Sequence, residues 1–155
     1  MNILFVCKGN IFRNMSAEYL MKSYIQKEGL DDIIHISSAG TEANMQEVHP
    51  TTVKRLQYYK SKPNNHKQRK ISKEILEQQD LIICMGNNHK QIIENMGFDC
   101  ILFNKLAYNK DTDVPDIEEL LAPGYTEQQK SDYIIKVIDY LHNAIPLLIK
   151  HIIKK

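Results

Sequence analysis

Cys7 and Arg13 stand six positions apart at the start of the chain, in the run Val-Cys-Lys-Gly-Asn-Ile-Phe-Arg. A cysteine thiolate is a nucleophile, and a guanidinium is a planar, permanently charged fork that holds two oxygens of a phosphate. The residues between them are Lys8, Gly9, Asn10, Ile11 and Phe12. Five residues are enough to curl so that their backbone N–H groups point inward as an anion nest. Gly9 permits backbone conformations barred to other residues. The same positive field favours the thiolate form of Cys7. The spacing alone is common by chance; it gains meaning from what flanks it.

Asn2 to Val6 reads as a buried strand before the loop, and Met15 to Lys27 as a helix behind it. Ala17, Leu20, Met21, Tyr24 and Ile25 share one face of that helix, and Gly29 stops it. Ile33 to Ser37 is a second strand, Thr51 to Lys60 a helix opened by Pro50, and Ser61 to Lys70 a polar, basic loop. A short helix, Ile71 to Gln78, precedes a third strand, Leu81 to Met85. Asn87 to Met96 is a helix, and Cys100 to Phe103 a fourth strand. Asn104 to Pro123 is expected to be one long loop carrying Asp111, Asp113 and Asp116, of a length that is usually functional or disordered. Thr126 to Ile153 repeats apolar residues at helical spacing, and Pro146 is expected to kink or break it.

Strands alternating with helices predict an α/β fold: a single three-layer domain over residues 1–155, its four-stranded parallel sheet flanked by helices in a flavodoxin-like, Rossmann-like manner. Ligands of such sheets bind beyond the carboxyl ends of the strands, against helix N-termini, where the Cys7–Arg13 loop falls.

The bulk composition is that of an ordinary globular protein, with 43% hydrophobic and 25% charged residues and a formal net charge of +1. That balance gives no broad electrostatic footprint for nucleic acid. No apolar stretch is long enough to span a bilayer and none resembles a signal-peptide core, so no membrane partner and a cytoplasmic location are expected. Cys7, Cys84 and Cys100 are expected to be free thiols.

The string Val-Cys-Lys-Gly-Asn-Ile-Phe-Arg-Asn-Met-Ser-Ala-Glu resembles the signature loop of the low-molecular-weight protein tyrosine phosphatases. Ser37-Ser38-Ala39-Gly40-Thr41, His66-Lys67-Gln68-Arg69, Asp80-Leu-Ile-Ile-Cys-Met85 and Val114-Pro115-Asp116 resemble later segments of that family, in order. The resemblance implies a phosphatase acting on protein phosphotyrosine or small phosphomonoesters. Cys7 would be the nucleophile, Arg13 the phosphate clamp and Asp116 the general acid, with Asp113 its nearest substitute. Lys8, Gly9, Asn10, Ile11, Phe12 and Arg13 would line the phosphate, and Asn10, Asn14 and His66 would support the loop. It further implies no metal or cofactor, inhibition by inorganic phosphate or vanadate, and a monomer or weak dimer.

The chain departs from the family pattern in several places. Asn14 replaces a serine whose hydroxyl donates to the nucleophilic sulfur, a role the asparagine amide is able to take over. Phe12 replaces a second loop cysteine. Ile117, Glu118 and Glu119 follow the acid, and Glu42, Ala43 and Asn44 follow the second strand, where relatives carry aromatics that grip a phosphotyrosine ring. Ile11 matches the tyrosine phosphatases, whereas threonine there is typical of arginine phosphatases. Alternatives of the same fold are therefore an arginine phosphatase, an arsenate reductase, or a catalytically impaired phosphate-binding module.

Overall fold

Strand β1 (Asn2–Cys7) begins at the second residue, and Ile3, Leu4, Phe5 and Val6 are all fully buried in it. A strand covered on both faces is an unbroken apolar run rather than an alternating one, and β1 lies inside the sheet. The computed structural model describes residues 1–42, 45–115 and 121–154. Within them β1, β2 (His35–Gly40), β3 (Leu81–Cys84) and β4 (Ile101–Leu102) run parallel in the order β2-β1-β3-β4. The register sets Cys7 opposite Gly40 and Val6 opposite Cys84. The chain leaves β1 towards β2 on one side and reaches β3 on the other. The carboxyl end of β1 is therefore the switch point where such sheets open a crevice for ligands.

Helices α1 (Arg13–Lys27), α2 (Pro50–Tyr58), α5 (Phe103–Tyr108) and α6 (Glu127–Ile153) cover one face of the sheet, while α3 (Lys73–Glu77) and α4 (Asn87–Asn95) cover the other. The larger core joins Ile3 and Phe5 to Leu20 and Met21 of α1 and to Ile138 and Leu141 of α6. The smaller one joins Leu4, Val6 and Ile82 to Leu76 of α3 and Ile93 of α4. The expected three-layer α/β architecture is the one observed.

Two expectations need correction. Helix α6 runs through Pro146 without ending there. Proline inside a helix costs about 3 kcal/mol, but each apolar side chain fully buried contributes about 1.5–3 kcal/mol. Ala144, Ile145, Leu148, Ile149 and Ile152 are buried on both sides of the proline, so packing outweighs the lost hydrogen bond. Second, the segment expected to be a loop from Asn104 begins as helix α5, and β4 is only two residues long. Six residues are too few to display a helical period, so only the burial of Leu106 and Ala107 marks α5. Asn109 ends it in the left-handed region, at φ 57°.

Candidate active site

The structure brings Cys7 and Arg13 together across the loop: Cys7 ends β1, Arg13 opens α1, and each is 3% exposed. The N–H groups of Asn14, Asn10 and Gly9 lie about the Cys7 sulfur and pull its thiol down. Helix α1 has no acidic residue in its first turn and no side-chain cap, so its positive end faces the loop without a neutralising carboxylate.

The loop is fastened to the end of β2. Thr41 N–H donates to the Cys7 carbonyl at 2.8 Å and Glu42 N–H to the Lys8 carbonyl at 2.9 Å. Gly40 makes this approach feasible, because a Cβ there would sit 2.4 Å from the Lys8 carbonyl oxygen. Asn10 adopts the left-handed conformation, φ 56°, which asparagine tolerates better than most residues. Its amide donates to Ser38 Oγ at 2.7 Å and its side-chain oxygen accepts from Arg69 N–H at 3.1 Å. His66 Nε2–H donates to the Asn10 carbonyl at 2.8 Å, and its Nδ1 meets the Tyr19 hydroxyl at 3.2 Å. His66 thus holds the loop from behind and is not a solvated histidine.

A further layer, which sequence reasoning left without roles, completes the support. Ser38 Oγ passes a hydrogen bond to buried Glu18, which also accepts from Lys22 at 2.7 Å. Arg69 Nε donates to the Ser38 carbonyl at 3.0 Å. Glu18, Ser38 and Arg69 all stand in the motif segments read above; what marks them is a polar residue type at a position the fold buries or clamps.

The Asn14 side chain does not reach the sulfur. Its amide donates to the carbonyls of Phe5 at 3.3 Å and Ala39 at 2.9 Å, strapping β1 to β2 beneath the loop, and its oxygen accepts from Met15 N–H at 2.8 Å. Only the Asn14 backbone N–H serves Cys7. The positive field expected to favour the thiolate is present, but burial opposes it. Complete burial pushes the Cys7 thiol above its ordinary value, and Arg13 with the three N–H groups pulls it down by less. Desolvation is the larger of the two effects.

Arg13 Nη1 donates to the Val114 carbonyl at 2.8 Å. Val114 is fully buried, and its N–H donates to the Met85 carbonyl at 2.7 Å, so Arg13 is anchored through Val114 to the end of β3. The Asp113 carboxylate accepts from the Asn87 N–H at 2.9 Å and the Asn87 amide at 2.8 Å, holding the start of α4. Asp116, Ile117, Glu118 and Glu119 lie outside the described residues, as do Ala43 and Asn44. Lys8 and Glu42, both more than half exposed, pair at 3.9 Å on the rim. Ile11 and Phe12 are partly buried, and Phe12 packs on the larger core. Among the described residues no group of three or more His, Cys, Asp or Glu could hold a metal ion. No helix among them is long and apolar enough to cross a membrane.

A parallel sheet of order β2-β1-β3-β4 with a cysteine-to-arginine anion loop at its switch point defines a class of phosphate-handling α/β proteins. A sequence model described as low molecular weight phosphotyrosine protein phosphatase matches residues 2–155, and the chain belongs to that family. It is similar to a protein-arginine-phosphatase of Bacillus subtilis, 38% identical over 94 residues, which span 60% of this chain and 61% of that protein. It is also 25% identical to low molecular weight protein-tyrosine phosphatase A of Mycobacterium tuberculosis over 153 residues, spanning 94% of this chain and 88% of that one. A solved structure of YwlE arginine phosphatase, a Cys-to-Ser mutant with a phosphorylated active-site serine, matches with TM-score 0.84 at 28% identity and covers 100% of this chain and 97% of its own. A low molecular weight protein tyrosine phosphatase of T. tengcongensis shares the fold, with TM-score 0.81 at 23% identity over 97% of this chain and 98% of its own.

Proposed function

We propose that this protein is a phosphatase that hydrolyses phosphomonoesters, protein phosphotyrosine foremost, through a cysteinyl-phosphate on Cys7. One observation carries the reading: the Cys7 sulfur lies among the N–H groups of Gly9, Asn10 and Asn14, in the loop that Arg13 closes. Those donors fit the three non-bridging oxygens of a phosphoryl group and stabilise the charge spread over them in the transition state. The guanidinium carries five N–H donors, and the one fixed on Val114 orients the fork. Lys8, Gly9, Asn10, Ile11 and Phe12 supply the backbone of the cradle.

In the first step Cys7, its proton given up to solvent, attacks phosphorus as the thiolate, and the ester P–O bond breaks as the S–P bond forms. Asp116 gives its proton to the leaving oxygen. In the second step Asp116 takes a proton from water, the water oxygen attacks phosphorus, and the S–P bond breaks to release inorganic phosphate. Asp113 is the poorer candidate, since its carboxylate is occupied at the start of α4. Asp116 follows Val114 by two residues, and Val114 touches the clamp. The phosphorylated active-site serine of the YwlE mutant supports a covalent phospho-enzyme at the loop residue. No metal or cofactor is needed, because Arg13 supplies the cation. A catalytic thiol suits a reducing, cytoplasmic setting.

Hydrolysis of p-nitrophenyl phosphate between pH 5 and 8 tests the assignment. The expected result is turnover by wild type, none by Cys7→Ser, and a loss of about 10²–10⁴-fold in Asp116→Ala, the usual share of a general acid. Binding of vanadate without turnover would instead leave a phosphate-binding module. The similarity to arginine phosphatases carries a second reading of the substrate. Phosphotyrosyl and phosphoarginyl peptides in parallel decide between them: the family match of Ile11 favours phosphotyrosine, and a preference for phosphoarginine would overturn it.

A further inference from the structure

Two thiols that the proposed reaction does not use meet on the far side of the sheet. Cys84 ends β3 fully buried, and Cys100 stands one residue ahead of β4, partly exposed. Cys84 lies opposite Leu102 in the β3–β4 register. Leu102 and Cys84 both belong to the smaller core, and Cys100 packs against it. Cys100 precedes Leu102 by two residues and so shares the face of Cys84 on the neighbouring strand, where each thiol is the first influence on the charge of the other. Cys7 belongs to the larger core on the opposite face. The sheet thus separates this pair from the nucleophile, which also counts against a thiol relay of the arsenate reductase kind.

Lys90 of α4 brackets Cys100. Its carbonyl accepts from the Cys100 S–H at 3.6 Å, and its ammonium donates to the Cys100 carbonyl at 3.3 Å while pairing with Glu94 at 2.5 Å. The Cys84 hydrogen bond is the main cause that holds the Cys100 thiol below its ordinary value; burial opposes it, Lys90 adds to it, and Glu94 and Asp99 oppose it. The Cys84 thiol is pushed up in turn, first by that same hydrogen bond and then by burial. The two thiols thus differ in access as well as in charge: Cys100 is the one solvent reaches and the one pulled down, and Cys84 is the buried one pushed up.

We propose that Cys84 and Cys100 are a redox-active thiol pair that a hydroperoxide converts into an intramolecular disulfide, independently of Cys7. The Cys100 thiolate attacks a peroxide oxygen. The O–O bond breaks, an alcohol or water leaves with a proton, and Cys100 becomes a sulfenic acid. Cys84 then attacks that sulfur and loses its proton to the departing hydroxide. The S–O bond breaks, the S–S bond forms, and water leaves. Two thiols are oxidised and one hydroperoxide is reduced. Closing the bond needs the two Cα atoms within about 7 Å. Cys100 stands just outside the β4 ladder, whose register sets Cys84 opposite Leu102, two residues further on.

The test treats the Cys7→Ser variant with hydrogen peroxide, so that only the pair reports. Intact mass, free thiols after denaturation and peptide mapping are then followed. Loss of both thiols is expected, with the mass of two hydrogens lost, the peptides carrying Cys84 and Cys100 joined, and full return under thiol reductant. In Cys7→Ser with Cys84→Ala, Cys100 should gain oxygen instead. Persistence of both thiols, or oxygen gain at Cys100 with no joined peptide while Cys84 is present, would overturn the proposal. So would an unreactive Cys100 in the double variant.

Discussion

At Cys7 burial is the largest influence on the charge of the sulfur, and Arg13 and backbone N–H groups oppose it without help from the Asn14 side chain, which is turned to the Phe5 and Ala39 carbonyls. Burial pushes the thiol up and Arg13 is the first of the causes that pull it down. Arg13→Ala should therefore raise the Cys7 thiol further. The pH profile of alkylation by a neutral reagent such as iodoacetamide reads this, since only the thiolate reacts: the rise in rate should move to higher pH in the variant. An unmoved profile would show that Arg13 acts only on the substrate. Asn14 makes a separate prediction. Replacing it with alanine leaves the buried carbonyls of Phe5 and Ala39 without its amide and should cost about 1–3 kcal/mol in urea unfolding. Serine, lacking reach to both carbonyls, should recover little of that stability. Full recovery would mean the strap matters less than a donor near the sulfur.

At the scale of elements, β1 and α1 were readable because an apolar run, a loop of special residue types and an amphipathic helix follow one another within the first 27 residues, and the parallel sheet because strands alternate with helices. Helix α5 was not readable, being too short for its period to show, nor was the unbroken course of α6, whose packing is decided by partners far away in sequence. The site divides in the same way. Cys7 and Arg13 carry their chemistry in type and spacing, and Asn10 and His66 were reached only through the family resemblance, whereas the direction of the Asn14 amide and the capture of Asp113 by α4 depend on neighbours that only folding supplies. One such long-range contact joins α2 to α6: Arg55 donates to Asp139 at 2.7 and 2.9 Å, and the Tyr59 hydroxyl adds a bond at 2.6 Å. Burial pushes the Asp139 carboxyl up, but Arg55 and Tyr59 together hold it below its ordinary value. A depressed carboxyl adds stability above the unfolded pKa of about 3.9 and loses it as pH falls through the folded value. Asp139→Asn should thus cost about 1 kcal/mol at neutral pH, discounted because the carboxylate side chain is 34% exposed. The gap should close as urea unfolding is repeated at acid pH. A gap of constant size from neutral to acid would assign the cost to packing instead.

Across the whole molecule the Cys7–Arg13 loop is where separate parts of the chain converge. It continues β1, opens α1, is hydrogen-bonded by the end of β2 and by His66 and Arg69, and through Arg13 touches Val114, itself bound to the end of β3. An anion that fills the loop therefore binds only when all of these are in place, and its affinity for the unfolded chain is negligible. Stability then rises with ligand by mass action, by about 2.7 kcal/mol at a hundredfold excess over Kd. For a chain of this length each kcal/mol raises Tm by about 2–4 °C. Saturating phosphate or vanadate should raise the Tm of wild type by about 5–10 °C on that basis. Cys7→Ser should keep most of the phosphate shift, because the donors remain, and should lose any extra gain from vanadate bonding to sulfur. Arg13→Ala should lose nearly all of both. If Arg13→Ala shifts as far as wild type, the anion is held somewhere other than the loop, and the proposed cradle is wrong even if the enzyme turns over.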